Sequence, residues 1–208
     1  MSYGSLEEYL SKRDPSRTPE PTGDGEGGPD DEAWFVIQEH DASSHHFDFR
    51  LRVGDVLRSW AVPKGPSTDP SERRLAVPTE DHPLEYASFE GVIPRDEYGG
   101  GTVIVWDAGR YDTLGEDDGD KGDIEQQLEA GHATVWLHGE KIRGGYALIR
   151  TDDDQRWLLI KMDDEEADAR RNPESTEPES VVSGRTLDEV RREESPDDDS
   201  EAGGEGRP

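Results

Sequence analysis

From Trp34 onward the chain is written in short apolar runs with period-two alternation. WFVIQEH (34–40), HHFDFRLRV (45–53), VLRSWAV (56–62), RRLAVPTE (73–80), GTVIVWD (101–107), ATVWLHG (133–139), GYALIRT (145–151) and RWLLIKM (156–162) each read as a strand, with Gly, Asp and Pro between them. Eight such runs at this spacing predict an antiparallel sandwich or barrel rather than parallel βαβ units. Helical period is rare. Residues 123–130 form the one clear internal helix, opened by Asp123 and stopped by Gly131, and residues 5–12 predict a short N-terminal helix with Ser5 and Glu8 placed as a capping box.

Outside these runs the pattern dissolves. RDPSRTPEPTGDGEGGPDD is rich in Pro, Gly and acid and reads as an irregular arm. After Lys161 the chain turns to acid, Ser, Pro and Gly, with 17 acidic against 6 basic residues in 162–208. Such a segment has too little apolar surface to offset its chain entropy and is expected to be a disordered tail, with TLDEVRREE (Thr186, Glu189 capping box) at most transiently helical. The organisation expected is an N-terminal helix and arm (1–33), a β domain (34–162) and an acidic tail (163–208).

Composition changes the picture in two ways. The chain has 208 residues, 51 acidic and 23 basic, for a net charge of −28. Only five of the basic residues are Lys. That balance fits a cytosol rich in salt, where short screening lengths suppress self-repulsion; a single acidic tail on an ordinary domain is the alternative, disfavoured because acids also crowd the strand-rich part. Cysteine is absent, which excludes disulfides, thiolate nucleophiles and thiolate metal sites. No apolar run approaches membrane-span length and the N-terminus has no signal-peptide core, so a soluble, cytoplasmic monomer is expected.

The candidate chemistry lies on the first two runs. Side chains alternate along a strand, so His46, Asp48, Arg50 and Arg52 share one face while Phe47, Phe49, Leu51 and Val53 share the other, apolar one. Gln38 and His40 share a face in the preceding run, and the turn 41–44 makes the two a hairpin that can bring His40 to His46 and Asp48. Two imidazoles and a carboxylate with an open position suit Zn²⁺, Mn²⁺ or Fe²⁺; Arg50 offers a fork for phosphate oxygens. The same spacing equally describes a polar, solvent-facing strand. Lys64, in the Pro63–Pro66 turn, is either a phosphate-binding point charge or a surface lysine. His82 is either a general acid or transition-state donor or an inert loop histidine, and Tyr86 either core packing or a phosphate donor. Residues 45–75 carry Arg50, Arg52, Arg58, Lys64, Arg73 and Arg74 against four acids, a local excess of positive charge that points to an anionic ligand.

FVIQEHDASSHHFDFRL, SWAVPKGPS, EDHPLEYASFEGVIPRDEYGGGTVIVWD and WLLIKM, in this order and with KRDPSRTPEP ahead of them, resemble the 3′-phosphoesterase domain of bacterial DNA ligase D and its stand-alone archaeal relatives over roughly residues 9–163. Pro15 departs from the family, which tends to have an aromatic after the Arg13-Asp14 pair, and the acidic loop 115–123 has no counterpart in these motifs. The resemblance implies a compact antiparallel β-barrel of about eight strands with one or two short helices, and a crater-like active site. It implies a manganese enzyme, with Co²⁺ or Zn²⁺ as other candidate ions, that removes a terminal ribonucleoside and then the 3′-phosphate from a DNA primer end. Carried over by motif, His40, His46 and Asp48 hold the metal, Arg50 and His82 contact the scissile phosphate, and Gln38, Lys64, Arg74 and Tyr86 complete the site. Arg13, Asp14 and Glu20 support the ribonucleoside-removing step. A repair ligase or polymerase is expected to act in trans. The alternatives carried forward are a non-catalytic module that binds DNA ends and recruits repair proteins, and a hydrolase of a small phosphate ester.

Overall fold

The computed structural model describes residues 6–23, 32–115, 122–151 and 156–195. All eight expected runs are strands: β1 (Trp34–Asp41), β2 (His45–Val53), β3 (Val56–Val62), β4 (Arg73–Pro78), β7 (Gly101–Thr113), β8 (His132–Gly139), β9 (Arg143–Arg150) and β10 (Trp157–Lys161). Two short additions, β5 (His82–Pro83) and β6 (Gly91–Ile93), pair with β3 and β7. The order β1-β2-β3-β4-β10-β9-β8-β7 closes on itself through β1–β7 pairing, so the sheet is an antiparallel barrel, which removes the exposed edges an open sheet would carry.

Alternation explains the interior. Each of the eight barrel strands contributes to one cluster that includes Phe35, Ile37, Phe49, Trp60, Ala76, Trp106, Val135, Leu148 and Leu159. Phe47, Phe49, Leu51 and Val53 all enter it, as the pattern on β2 requires. A second cluster of Tyr9, Leu57, Leu84, Tyr86, Phe89, Ile93 and Val103 lies outside the barrel, with strand members on β3, β6 and β7. It is roofed by helix α1 (Glu7–Ser11), the arm, and a 3-10 turn at Leu84–Ser88. That roof turns an outer wall into a buried layer. Against β1, β7 carries one extra residue where the register shifts between Ile37 and Gln38; such a bulge re-aims the neighbouring side chains.

Local chemistry sets the helix ends. Helix α2 (Ile124–Ala130) begins as expected, with the Asp123 carboxylate accepting from the Glu125 and Gln126 amides, and ends on Gly131 at φ +84°. Helix α1 has Leu6 at its N-cap and no side-chain cap; Ser5, the expected cap, lies outside the described residues.

The expectation of a disordered tail from residue 163 is corrected as far as Ser195. Helices α3 (Pro173–Thr176) and α4 (Leu187–Glu194) follow β10, so four α-helices are described where one or two were expected. Average composition misled because a few anchors hold the segment. Val190 is fully buried. The indole of Trp106 donates to the Glu177 carbonyl at 2.8 Å, and the Val181 amide to the Val105 carbonyl at 3.0 Å. Arg191 pairs with Asp41. The capping box of Thr186 and Glu189 is formed. Residues 196–208 lie outside the described residues. No helix among the described residues is long and apolar enough to cross a membrane.

Candidate active site

The face of β2 opposite the barrel core is not solvent-facing. Asp48 is 5 % exposed, Arg50 2 % and Gln38 0 %, which rules out a plain polar surface strand. In register, Gln38 stands across from Asp48 and His40 across from His46. The nearest ligand atoms of His40, His46 and Asp48 all lie within 4.8 Å of one another. Asp48 sits between the rings, its carboxylate 3.6 Å from His40 Nδ1 and 3.6 Å from His46 Nε2. Each imidazole is tied at its other nitrogen: His40 Nε2 to the Gly99 carbonyl at 2.9 Å and His46 Nδ1 to the Ser44 carbonyl at 2.9 Å. A carbonyl only accepts, so those nitrogens carry the protons, and the lone pairs of His40 Nδ1 and His46 Nε2 turn toward Asp48. Two imidazoles and one carboxylate, oriented from behind, fit a divalent transition metal with open positions.

The ionised state of Asp48 agrees with that use. Burial pushes the Asp48 carboxyl up, but the charge of Arg50, with smaller contributions from the nearby His40 and His46 rings, outweighs it and holds Asp48 ionised, its pKa well below the usual range. His46 is disfavoured as a cation by burial, yet Asp48 raises its pKa, the expected response of an imidazole facing a carboxylate.

Arg50 is the hub beside this triad. Its Nε donates to Gln38 Oε1 at 2.8 Å, Nη1 to the Ser59 hydroxyl at 2.8 Å, and Nη2 to Asp48 Oδ2 at 3.1 Å. Gln38 is locked in turn by donating to the Tyr86 and Phe89 carbonyls at 2.9 and 3.0 Å. The guanidinium carries more N–H groups than these bonds use, so a donor remains for an anion. His82 Nδ1 lies 3.1 Å from Arg50 Nη1 and 2.8 Å from the Glu80 carbonyl. Burial, with the charges of Arg50 and Arg13, holds His82 neutral, its pKa well below the ordinary value. With Nδ1–H donated to Glu80, Nε2 is left as an acceptor.

The arm closes this layer. Arg13 Nε donates to Glu20 Oε1 at 2.8 Å and its Nη1 to Glu80 Oε1 at 3.0 Å, with the guanidinium stacked 3.8 Å over the Tyr9 ring. The Tyr86 hydroxyl donates to Glu20 at 3.1 Å, and burial keeps that phenol protonated. Tyr9 packs edge-on to both His82 and Tyr86 and donates its hydroxyl to the Pro21 carbonyl at 2.6 Å. The departure at Pro15 therefore does not prevent docking.

Nine expected residues thus meet: Gln38, His40, His46, Asp48, Arg50, His82, Tyr86, Arg13 and Glu20. Three do not. Asp14 is exposed and accepts from Ser16 in its own turn. Lys64 is exposed. Arg74 projects from the core-facing side of β4, held by the Lys64 carbonyl at 3.0 Å, Glu72 at 2.6 Å and Glu174 at 3.3 Å. Tyr9, Ser59 and Glu80 were missed in the sequence; only Ser59 carried a signal, as a polar residue between the apolar Leu57 and Ala61 on one face of its strand, opposite Arg50. A groove of about 900 Å³ lies to one side between Asp41–Ser43, Val92–Arg95 and α4, and the triad does not line it.

Residues 38–150, more than half of the chain, match the family model described as the DNA Ligase D 3′-phosphoesterase domain. The chain is 47 % identical over 192 residues to the multifunctional non-homologous end joining protein LigD of Pseudomonas aeruginosa, covering 88 % of this chain and 22 % of that protein. It is 48 % identical over 157 residues to the corresponding DNA repair protein LigD of Mycobacterium tuberculosis, covering 76 % of this chain and 20 % of the relative. It is 44 % identical over 165 residues to that of Mycolicibacterium smegmatis, covering 77 % and 21 %. The chain spans about a fifth of the length of these relatives. The motifs, the barrel and the match across its strands agree, and the chain belongs to the DNA ligase D 3′-phosphoesterase domain family.

Proposed function

We propose that this protein is a metal-dependent phosphoesterase that processes DNA 3′ ends in repair, removing a 3′-terminal ribonucleoside and then the 3′-phosphate to leave a 3′-OH. The observation that carries the reading is the His40–His46–Asp48 triad, with His40 and Asp48 buried and His46 half-buried, joined to Arg50 through one carboxylate. A pure binding module has no need of such a site.

The triad suits Mn²⁺, with Co²⁺ or Zn²⁺ as other candidates; a cation there supplies Lewis acidity toward a phosphoryl oxygen. The chain supplies the rest. Arg50 holds the phosphate through its remaining N–H donors and spreads positive charge over the oxygens as negative charge builds in the transition state. Gln38 and Ser59 fix its plane, so no reorganisation is needed at that moment. An incoming phosphate offsets the cationic charges that hold His82 neutral; the imidazole then takes a proton at Nε2 and donates it to the phosphoryl group or the leaving oxygen. In the phosphatase step a water oxygen bonds to phosphorus as the bond to O3′ breaks and O3′ takes the proton. In the nuclease step water, or the 2′-OH of the ribose whose O3′ carries the scissile phosphate with water then opening the cyclic phosphate, bonds to phosphorus as the bond to O5′ of the terminal ribonucleoside breaks and O5′ takes the proton. Arg13, Glu20 and Tyr86, closing the layer beside His82, are placed to position the ribose.

The test uses purified protein, Mn²⁺ and a primer-template bearing a 3′-phosphate or a terminal ribonucleotide. Wild type releases phosphate and ribonucleoside, and His40→Ala does neither. Equal release by both removes the metal-site assignment, and binding without turnover under every divalent metal favours the end-binding module.

A further inference from the structure

Most cations among the described residues are engaged. Arg50, Arg58 and Arg74 pair with carboxylates, and Arg52 donates to backbone carbonyls. Among the described residues, Lys64 and Arg73 are the two whose charged groups have neither an ion pair nor a hydrogen bond. They are neighbours: Lys64 follows β3, its carbonyl accepts from Arg74, and Arg73 is the residue before Arg74, at the start of β4.

Strand register places Arg73 on the active-site face. Gln38 pairs with Asp48, Asp48 with Ala61, and Ala61 with Val77, and residues directly opposite share a face. Leu75 and Arg73 follow Val77 on the same face at alternate positions, roughly 7 and 13 Å further along. Leu75 is 41 % exposed, and Arg73 and Lys64 are exposed at the rim. The wall on the other side of the triad is roofed by Ile93, Phe89 and Val103, and the adjoining loop carries Asp96 and Glu97. From the triad one direction is therefore apolar, open and ends in two unneutralised cations. A nucleic-acid strand needs that combination: an apolar shelf for sugars or bases and point charges for phosphates.

We infer that the strand whose 3′ end enters the triad runs outward over Ala61, Val77 and Leu75, with Arg73 and Lys64 contacting its upstream phosphates. This rests on the proposed function and adds to it a strand path and a second contact region. From strand spacing and rise, Arg73 and Asp48 are roughly 16 Å apart, a span on the order of three to five nucleotides.

The experiment compares wild type, Arg73→Ala, Arg73→Lys and Leu75→Ala on a 3′-phosphorylated twelve-nucleotide primer-template and on a 3′-phosphorylated dinucleotide, with binding read by anisotropy at several salt concentrations. Arg73→Ala is expected to raise Kd and KM for the long primer several-fold, keep kcat, lower the log–log salt slope by about one, and leave the dinucleotide unaffected. Arg73→Lys restores most of the binding, and Leu75→Ala weakens binding without changing the slope. If wild type processes the long primer and Arg73→Ala matches it, or if both substrates suffer equally, the strand path is wrong while the activity stands. Wild type that neither binds nor turns over the long primer removes the activity and the path together.

Discussion

Asp48 and Arg50, two positions apart on β2, are joined by a 3.1 Å hydrogen bond while both are almost fully buried. One carboxylate thus faces the proposed metal through His40 and His46 and fixes the phosphate-binding guanidinium. Asp48→Asn is expected to abolish Mn²⁺ binding and phosphate release together. It also leaves Arg50 buried without its counter-charge, at a cost of about 3–5 kcal/mol. Metal titration and denaturant melts check this; wild-type Mn²⁺ affinity in the Asp48→Asn variant would sink the assignment.

Gln38 makes no contact with the triad's ligand atoms, yet it bonds Arg50 and two carbonyls. Gln38→Ala leaves Arg50 Nε and those carbonyls unpaired, costing about 1–3 kcal/mol for each group left buried. A lower kcat with Mn²⁺ affinity retained is the expected signature, since the disturbance falls on the guanidinium.

The neutral state of His82 makes a prediction about pH. Its folded pKa lies well below the unfolded value near 6.5. As pH falls through that value the unfolded chain takes a proton that the folded protein refuses, so stability drops on the acid side. The slope approaches about 1.4 kcal/mol per pH unit between the unfolded and folded pKa values. His82→Gln removes this component. Melting curves from pH 7.5 to 5.5 should fall more steeply for wild type than for the variant; parallel curves would show His82 charged in the fold.

The segment after β10 should contribute measurably to stability. Val190→Ala empties a fully buried site and is expected to cost roughly 1–3 kcal/mol. Removing residues 163–208 takes away the Glu177 carbonyl that satisfies the buried Trp106 indole and should lower Tm further. A shortened chain with unchanged Tm would mean these contacts contribute nothing.

These cases show why some features were legible in the sequence and others were not. Strands β1 to β4 and β7 to β10 announced themselves because alternation is a local signal; β5 and β6, two and three residues long, carry too few positions to show a period. The triad's spacing was visible, but spacing alone could not tell a buried face from a wet one. That was decided by Tyr9, Tyr86 and the arm, whose contacts with Arg13, Glu20 and Glu80 join positions far apart in the chain. The order of residues 163–195 was hidden for the same reason: Arg191 meets Asp41 and Trp106 meets Glu177 only once the barrel exists. Arg74 stands apart from the triad because strand alternation sends Arg73, not Arg74, to the outer face.

The hairpin of β1 and β2 serves the barrel core with one set of residues and the chemistry with the residues between them. Identity at many of its positions can drift among similar side chains, but its length cannot. Inserting or deleting a single residue between His45 and Val53 would shift the phase of everything beyond it, sending imidazole, carboxylate and guanidinium into the oily interior and phenyl rings into the reaction chamber. In this segment natural variation should therefore run through replacement and almost never through gaps.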